Sequence, residues 1–277
     1  MKLVTFEVAG VAKPGVLDND AIVEIPGYAN TLAVIEAGEK GIAAAKAALS
    51  GKKISLADVK LLAPIVKPPR VFCIGLNYAE HAVESQMKVQ AVPTVFFKLS
   101  STVVGPDAEV ILPKNSSQVD YEAEMAIVIG TPGYRIAAAD WEKHVFGYTI
   151  CNDVSARDIQ LSTSQWTLGK SFPTFTPIGP VIVTKDEVGD PHKLAISCDV
   201  SGERLQDSNT EHLIFRVPQL IEYISGITPL EAGDIISTGT PQGVGLGRKP
   251  QRWLKPGEEM VVTVEKIGSL RNTTVGE

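Results

Sequence analysis

The sequence predicts an α+β protein that is mostly β, with a small N-terminal α+β domain over residues 1–69 and a larger strand-dominated domain over 70–277. Three observations lead there. After Arg70, short apolar runs recur between Gly/Pro turns, which is the pattern of consecutive strands and not of a βαβ repeat. Before it, one stretch from Thr31 changes to helical spacing. Between them lies Ala63-Pro64-Ile65-Val66-Lys67-Pro68-Pro69, which can continue neither a helix nor a central strand and so sets the boundary.

Taken in order, residues 3–8 alternate Leu3, Thr5 and Glu7 against Val4, Phe6 and Val8, as successive side chains of a strand do. A second strand, 21–25, follows the turn Asp18-Asn19-Asp20. Leu32, Val34, Ile35, Ile42, Ala45 and Leu49 fit one mostly buried helix, with Gly38 and Gly41 as candidate breaks. Residues 56–62 make a further strand. Beyond Arg70 the expected strands are 71–75, 94–99, 110–112, 122–129, 146–152, 178–183, 194–200, 234–237 and 260–267. Short helices are expected at 78–86, 137–144, 155–160 and 217–225.

Composition bounds the function. With 44% hydrophobic and 21% charged residues the chain is built to fold. A net charge of −6 argues against nucleic acid or an anionic membrane as partner, because both need a basic face. No apolar run reaches the roughly 20 residues that span a bilayer. Glu7 interrupts the only stretch where a signal peptide would lie. Cys73, Cys151 and Cys198 are an odd, scattered set without a Cys-x-x-Cys pair. Together these point to a reducing, cytoplasmic location.

Five motifs carry chemistry. In Val119-Asp120-Tyr121-Glu122-Ala123-Glu124, strand alternation puts Asp120, Glu122 and Glu124 on one face. Three carboxylates so close repel unless a hard cation sits among them, or unless the strand is a solvated acidic edge. In Cys151-Asn152-Asp153-Val154-Ser155-Ala156-Arg157, Asp153 ends an apolar strand and either points into a site, caps a helix or pairs with Arg157; Ser155 reads as the cap of a short helix. In Asn77-Tyr78-Ala79-Glu80-His81-Ala82-Val83-Glu84, Asn77 reads as a cap and His81 and Glu84 share a helix face. Such a pair is either a base with its orienting carboxylate or an ordinary surface pair. Lys170, in Gly169-Lys170-Ser171-Phe172-Pro173, either offers positive charge to an anionic intermediate or decorates a turn. The glycine loop Ser237-Thr238-Gly239-Thr240-Pro241-Gln242-Gly243-Val244-Gly245 lacks Walker spacing and better suits close approach to a carboxylate.

In this order, the stretches IGLNYAEHAVES, VDYEAEMAIVIG, GYTICNDVSARDIQ, GKSFPTFTPIGP and ISTGTPQGVG resemble the fumarylacetoacetate hydrolase family, over about residue 70 to the end of the chain. The resemblance implies a mixed β-roll, usually a homodimer. It implies a metal, Mg²⁺ with Mn²⁺ or Ca²⁺ as alternatives, held by Glu122, Glu124 and Asp153. It implies a His81–Glu84 dyad on a lid helix, an active-site Lys170, and substrate contacts from Arg157, Gln160 and Thr240. Asp120 has no place in that ligand pattern and is read as a supporting group. The implied activity is metal-dependent hydrolysis of a C–C bond in a 1,3-diketo acid of the acylpyruvate or fumarylpyruvate type, by water that His81 and Glu84 activate. The same site serves the alternatives, oxaloacetate decarboxylation or keto–enol tautomerisation and isomerisation. A non-catalytic binding homologue would be expected to lack one of these residues, and none is missing.

Overall fold

The computed structural model describes residues 1–277. A 12-stranded sheet packs against a five-stranded sheet, and the helices between strands are short, which is the β-rich α+β architecture expected. The large sheet runs Lys53–Ser55, Ala21–Glu24, Val11–Asp18, Lys2–Val8, Thr176–Thr184, Val145–Asn152, Ala123–Ile129, Ile235–Ser237, Val71–Gly75, Thr94–Lys98, with Lys60–Leu62 also pairing Lys2–Val8 and Val103–Val104 also pairing Thr176–Thr184. Strands from both sides of the expected boundary at 69/70 therefore share one sheet. They join where Lys2 lies opposite Val183 and Leu3 opposite Ile182, antiparallel, and the N-terminal ammonium donates to Thr184 Oγ1 at 2.6 Å.

The five-stranded sheet runs Glu203–Asn209, Ala195–Val200, Glu259–Val264, Gly268–Gly276, Glu109–Leu112. Its Ile196, Cys198, Val262 and Leu270 meet Ala123, Met125 and Ile127 of the large sheet in a core of 41 buried residues. On the other face of the same strand, Ala126 and Val128 enter two smaller clusters. Strand Ala123–Ile129 is thus buried on both faces and bonded along both edges, by Val145–Asn152 and by Ile235–Ser237. An acidic residue on it cannot be a solvated edge group.

Three differences from the sequence reading have physical causes. The first helix is two, Thr31–Glu36 and Glu39–Ala48, because Gly38 takes φ +56° and turns the chain; Gly41 stays helical. The strand read at 56–62 is split by a single tight turn, Leu56–Asp58, which Ser55 caps through the Ala57 N–H. Strands Val11–Asp18 and Glu203–Asn209 have no alternating apolar signature; pairing with their neighbours holds them instead.

His192 anchors the longest helix, Val217–Ile227. Its Nε2 accepts the Val217 N–H at 3.2 Å, its Nδ1 lies 3.1 Å from Asp190, and its ring packs edge-on to Trp141. Burial lowers its pKa below the ordinary 6.5, against the opposing pull of Asp190. Accepting at Nε2 requires a neutral ring. The unfolded chain binds the proton more readily, so this stabilisation is complete above about pH 6.5 and is lost as pH falls toward the folded value. The urea midpoint should therefore drop across that window in the wild type and drop less in His192→Gln. Equal slopes for the two proteins would show that His192 does not carry the effect.

Candidate active site

The site forms where two neighbouring strands of the large sheet end. Val119–Asp120 pairs with Ser155–Ala156, breaks at Tyr121-Glu122, and resumes as Ala123–Ile129. The break decides which acids meet. Glu122 is tied to the next strand by its own N–H, which donates to Asn152 Oδ1 at 3.0 Å, and by its carbonyl, which accepts the Asp153 N–H at 2.9 Å. Glu122, Glu124 and Asp153 consequently converge, buried, with one oxygen of each within 4.8 Å of the others. Asp120 is turned away from them. It accepts from Arg157 Nε and from the N–H groups of Gly245 and Leu246, and so fixes the guanidinium and the glycine loop together.

Three cations surround the acids. Lys170 Nζ donates to Glu122 Oε2 at 2.8 Å and Asp153 Oδ2 at 2.9 Å; Arg157 Nη1 lies 2.6 Å from Glu122 Oε1; Lys98 Nζ donates to Asp153 Oδ1 at 2.7 Å. Asp153 therefore neither caps the helix nor pairs with Arg157. Burial would raise the Glu122 pKa, but Lys170 and Arg157 overcome it and hold the group at about 2. Burial likewise opposes the charge on Lys170, and Asp153 with Glu122 outweighs it, so that the ammonium is kept. Glu124 differs. Its Oε2 accepts from Ser237 Oγ at 2.5 Å and from the Gly239 N–H at 2.8 Å, but no ammonium or guanidinium reaches it. Burial, then Asp153 and Glu122, push its pKa well above the carboxylate range.

This imbalance is the test of fit for a metal. Glu122 and Asp153 have positive partners and Glu124 does not, so the cluster is short of positive charge at one corner. An octahedral ion with bonds of about 2.1 Å spaces its ligand oxygens roughly 3–4 Å apart. One oxygen of each carboxylate lies within 4.8 Å of the others, near that spacing, and all three are the hard oxygen donors that such a cation prefers. Glu122, Glu124 and Asp153 therefore suit a divalent cation.

Facing the acids is helix Ala79–Glu84. His81 is only 6% exposed, so it is no surface histidine, and its Nδ1 lies 2.8 Å from Glu84 Oε1. Glu84 Oε2 accepts the Gly243 N–H at 2.9 Å. The loop thus holds Glu84, Glu84 holds His81 Nδ1, and Nε2 is left as the free nitrogen of a ring that lines the cavity. The two expected caps are corrected. Asn77 does not cap this helix; its side chain donates to the Phe215 and Thr238 carbonyls and accepts the Phe215 N–H, splicing three loops. Ser155 sits in the short strand opposite Asp120, its hydroxyl donating to the Asp153 carbonyl, and the helix begins only at Arg157. Long-range partners take Asn77, whereas Ser155 is held by a carbonyl two residues before it and by the strand pairing with Asp120.

The remaining candidates reach the same cavity. Lys170, Arg157, Gln160 and Thr240 line it together with Glu122, Glu124 and His81. The Thr240 hydroxyl is already engaged: it donates to the Ala123 carbonyl and accepts from Gln206. Two supporting residues escaped the sequence reading. Lys98 is buried at the end of strand Thr94–Lys98, and a lysine closing an apolar run was its only trace. Gln206 accepts the Ala123 N–H and donates to Thr240 and Pro241, coupling the acidic strand to the loop; nothing in its polar surroundings marks it.

Comparison with known proteins shows the family. Residues 70–275 match the model of the fumarylacetoacetate hydrolase C-terminal domain, and residues 1–64 match an Rv2993c-like N-terminal domain. A mitochondrial oxaloacetate tautomerase of Rattus norvegicus, Fahd2a, is 46% identical over 244 residues, covering 87% of this chain and 78% of that protein. Among solved structures, 5-carboxymethyl-2-hydroxymuconate delta-isomerase from Mycobacterium smegmatis superposes with a TM-score of 0.82 at 34% identity, over 100% of this chain and 99% of that one. Maleylpyruvate hydrolase from Sphingobium sp. SYK-6, solved with manganese(II) and pyruvate, gives 0.85 at 31%, over 100% of this chain and 99% of that one. The rat relative's name matches the keto–enol alternative and not the hydrolysis expected first. The expected cytoplasmic location is overturned, since the rat, bovine and human relatives are named as mitochondrial. The chain belongs to the fumarylacetoacetate hydrolase family of enzymes.

Proposed function

We propose that the protein catalyses keto–enol tautomerisation of a small keto acid of the oxaloacetate type. One observation carries the reading: the free nitrogen of a carboxylate-held histidine and the positive groups of the acid cluster line one cavity. A base and a centre for oxyanion charge are all that this reaction needs. His81 Nε2 takes the proton from the carbon beside the carbonyl, the electron pair moves to the carbonyl oxygen, and Glu84 stabilises the imidazolium. The same proton then returns to oxygen, so no co-reactant is consumed. Lys170 has three N–H donors, two of them committed to Glu122 and Asp153, and the third is available to the developing oxyanion. Mg²⁺ or Mn²⁺ held by Glu122, Glu124 and Asp153 would add Lewis-acid charge at the same oxygen.

The identity to an oxaloacetate tautomerase supports this reading. The likeness to a maleylpyruvate hydrolase favours a second one, C–C hydrolysis, which requires His81 to deprotonate a water instead. A single assay separates them: enol oxaloacetate, followed by ultraviolet absorbance with Mg²⁺, in parallel with CO₂ release and acylpyruvate cleavage. Faster enol loss without CO₂ or cleavage is the expected result. Cleavage of an acylpyruvate outpacing enol loss would replace tautomerisation with hydrolysis.

A further inference from the structure

Ser85 belongs to no motif used so far, yet its position is closely determined. It lies four residues after His81, so its side chain leaves the helix on the same face as the imidazole. The chain is pinned just beyond it. The Gln86 N–H donates to the Val83 carbonyl and the Met87 N–H to the Ala82 carbonyl, while Gln86 takes φ +56°. This double bond ends the helix and leaves Ser85 little freedom to turn away. Ser85 and Met87 both line the cavity that holds the acids and Arg157. Inside it, the Ser85 hydroxyl is buried and makes no hydrogen bond.

A buried hydroxyl without a partner costs about 1–3 kcal/mol unless something satisfies it. The same cavity is lined by Arg157, a buried guanidinium whose Nη2 lies 2.9 Å from Asp120 Oδ2 and whose Nη1 lies 2.6 Å from Glu122 Oε1. An unpaired hydroxyl in a cavity that a guanidinium also lines suits an anionic acceptor, and a substrate carboxylate remote from the reacting carbonyl is one. An apolar acyl group would leave the hydroxyl unpaired.

We propose that Ser85 is a specificity-determining residue that donates to the distal carboxylate of a dicarboxylic keto acid, and so selects such acids over monocarboxylic ones. This rests on the reading of the site as a keto-acid site, and it deepens that reading by naming the substrate class. The test is calorimetric titration with oxaloacetate and with pyruvate in Mg²⁺ buffer, for wild type, Ser85→Ala and Ser85→Thr. Wild type should bind oxaloacetate the more tightly. Ser85→Ala should weaken oxaloacetate binding about tenfold and leave pyruvate within twofold, since a hydrogen bond to a charged group is worth about 1.5–3 kcal/mol. Ser85→Thr, which keeps the hydroxyl, should restore the preference. Equal wild-type affinity for the two acids would overturn the proposal, and so would an unchanged ratio in Ser85→Ala. A wild type that prefers oxaloacetate without accelerating enol loss would reject the tautomerase reading and leave the role of Ser85 standing.

Discussion

Asp153→Asn is expected to lose its divalent metal and to fold much less stably. Asp153 is fully buried and accepts from two ammonium groups, Lys98 at 2.7 Å and Lys170 at 2.9 Å, while also contributing an oxygen to the acid cluster. Asparagine nearly preserves the shape but removes the charge. Two lysines then face a neutral amide in the interior, and breaking a buried pair in this way costs about 3–5 kcal/mol. For a chain of this size the melting temperature should fall by on the order of 10 °C. Metal content by elemental analysis should drop at least about tenfold. Adding Lys98→Met removes one of the stranded charges and should recover part of the stability but none of the metal. Wild-type metal content in Asp153→Asn would remove Asp153 from the ligand set.

His81→Ala should have the opposite signature. The imidazole contributes a free Nε2 to the cavity and no hydrogen bond to the acid cluster, so metal content should be unchanged. Loss of general base catalysis is typically worth 10²–10⁴-fold, and kcat should fall by about that factor. Glu84→Gln should be milder. It nearly keeps the shape but can accept at only one of the two contacts, His81 Nδ1–H or the Gly243 N–H, and it withdraws the charge that stabilises imidazolium. An intact kcat in His81→Ala would mean that another group moves the proton. A parallel loss of metal would mean that the helix organises the site and does no chemistry itself.

The two variants probe parts of the site that were unequally legible. His81 and Glu84 lie three residues apart on one helix, and Glu122 and Glu124 two apart near one strand end, so local geometry nearly dictates their meeting. Asp153 was recognisable as a residue at the end of an apolar strand, but its partners were not. Arg157 is four residues away in sequence and is captured by Asp120 and Glu122, whereas Lys98 lies 55 residues away and supplies the ion pair. Asp120 shows the same limit. Strict alternation puts it with Glu122 and Glu124, and the break at Tyr121-Glu122 sends it to the loop at Gly245 instead.

By itself, the sequence determined the β-rich class, and its motifs carried the resemblance that points to the family and proposes Glu122, Glu124, Asp153, His81 and Lys170 as the candidate site. Only the tertiary structure decided that strands from both sides of the 69/70 boundary complete one sheet, that Lys98 and Gln206 support the acids, that the Thr240 hydroxyl is spent internally, and that Ser85 faces the cavity unpaired. The reason is the range of the forces. Backbone periodicity acts over a few residues, but a buried charge or hydroxyl is paired by whichever group the folded chain brings within about 3 Å. That group can be a hundred residues distant.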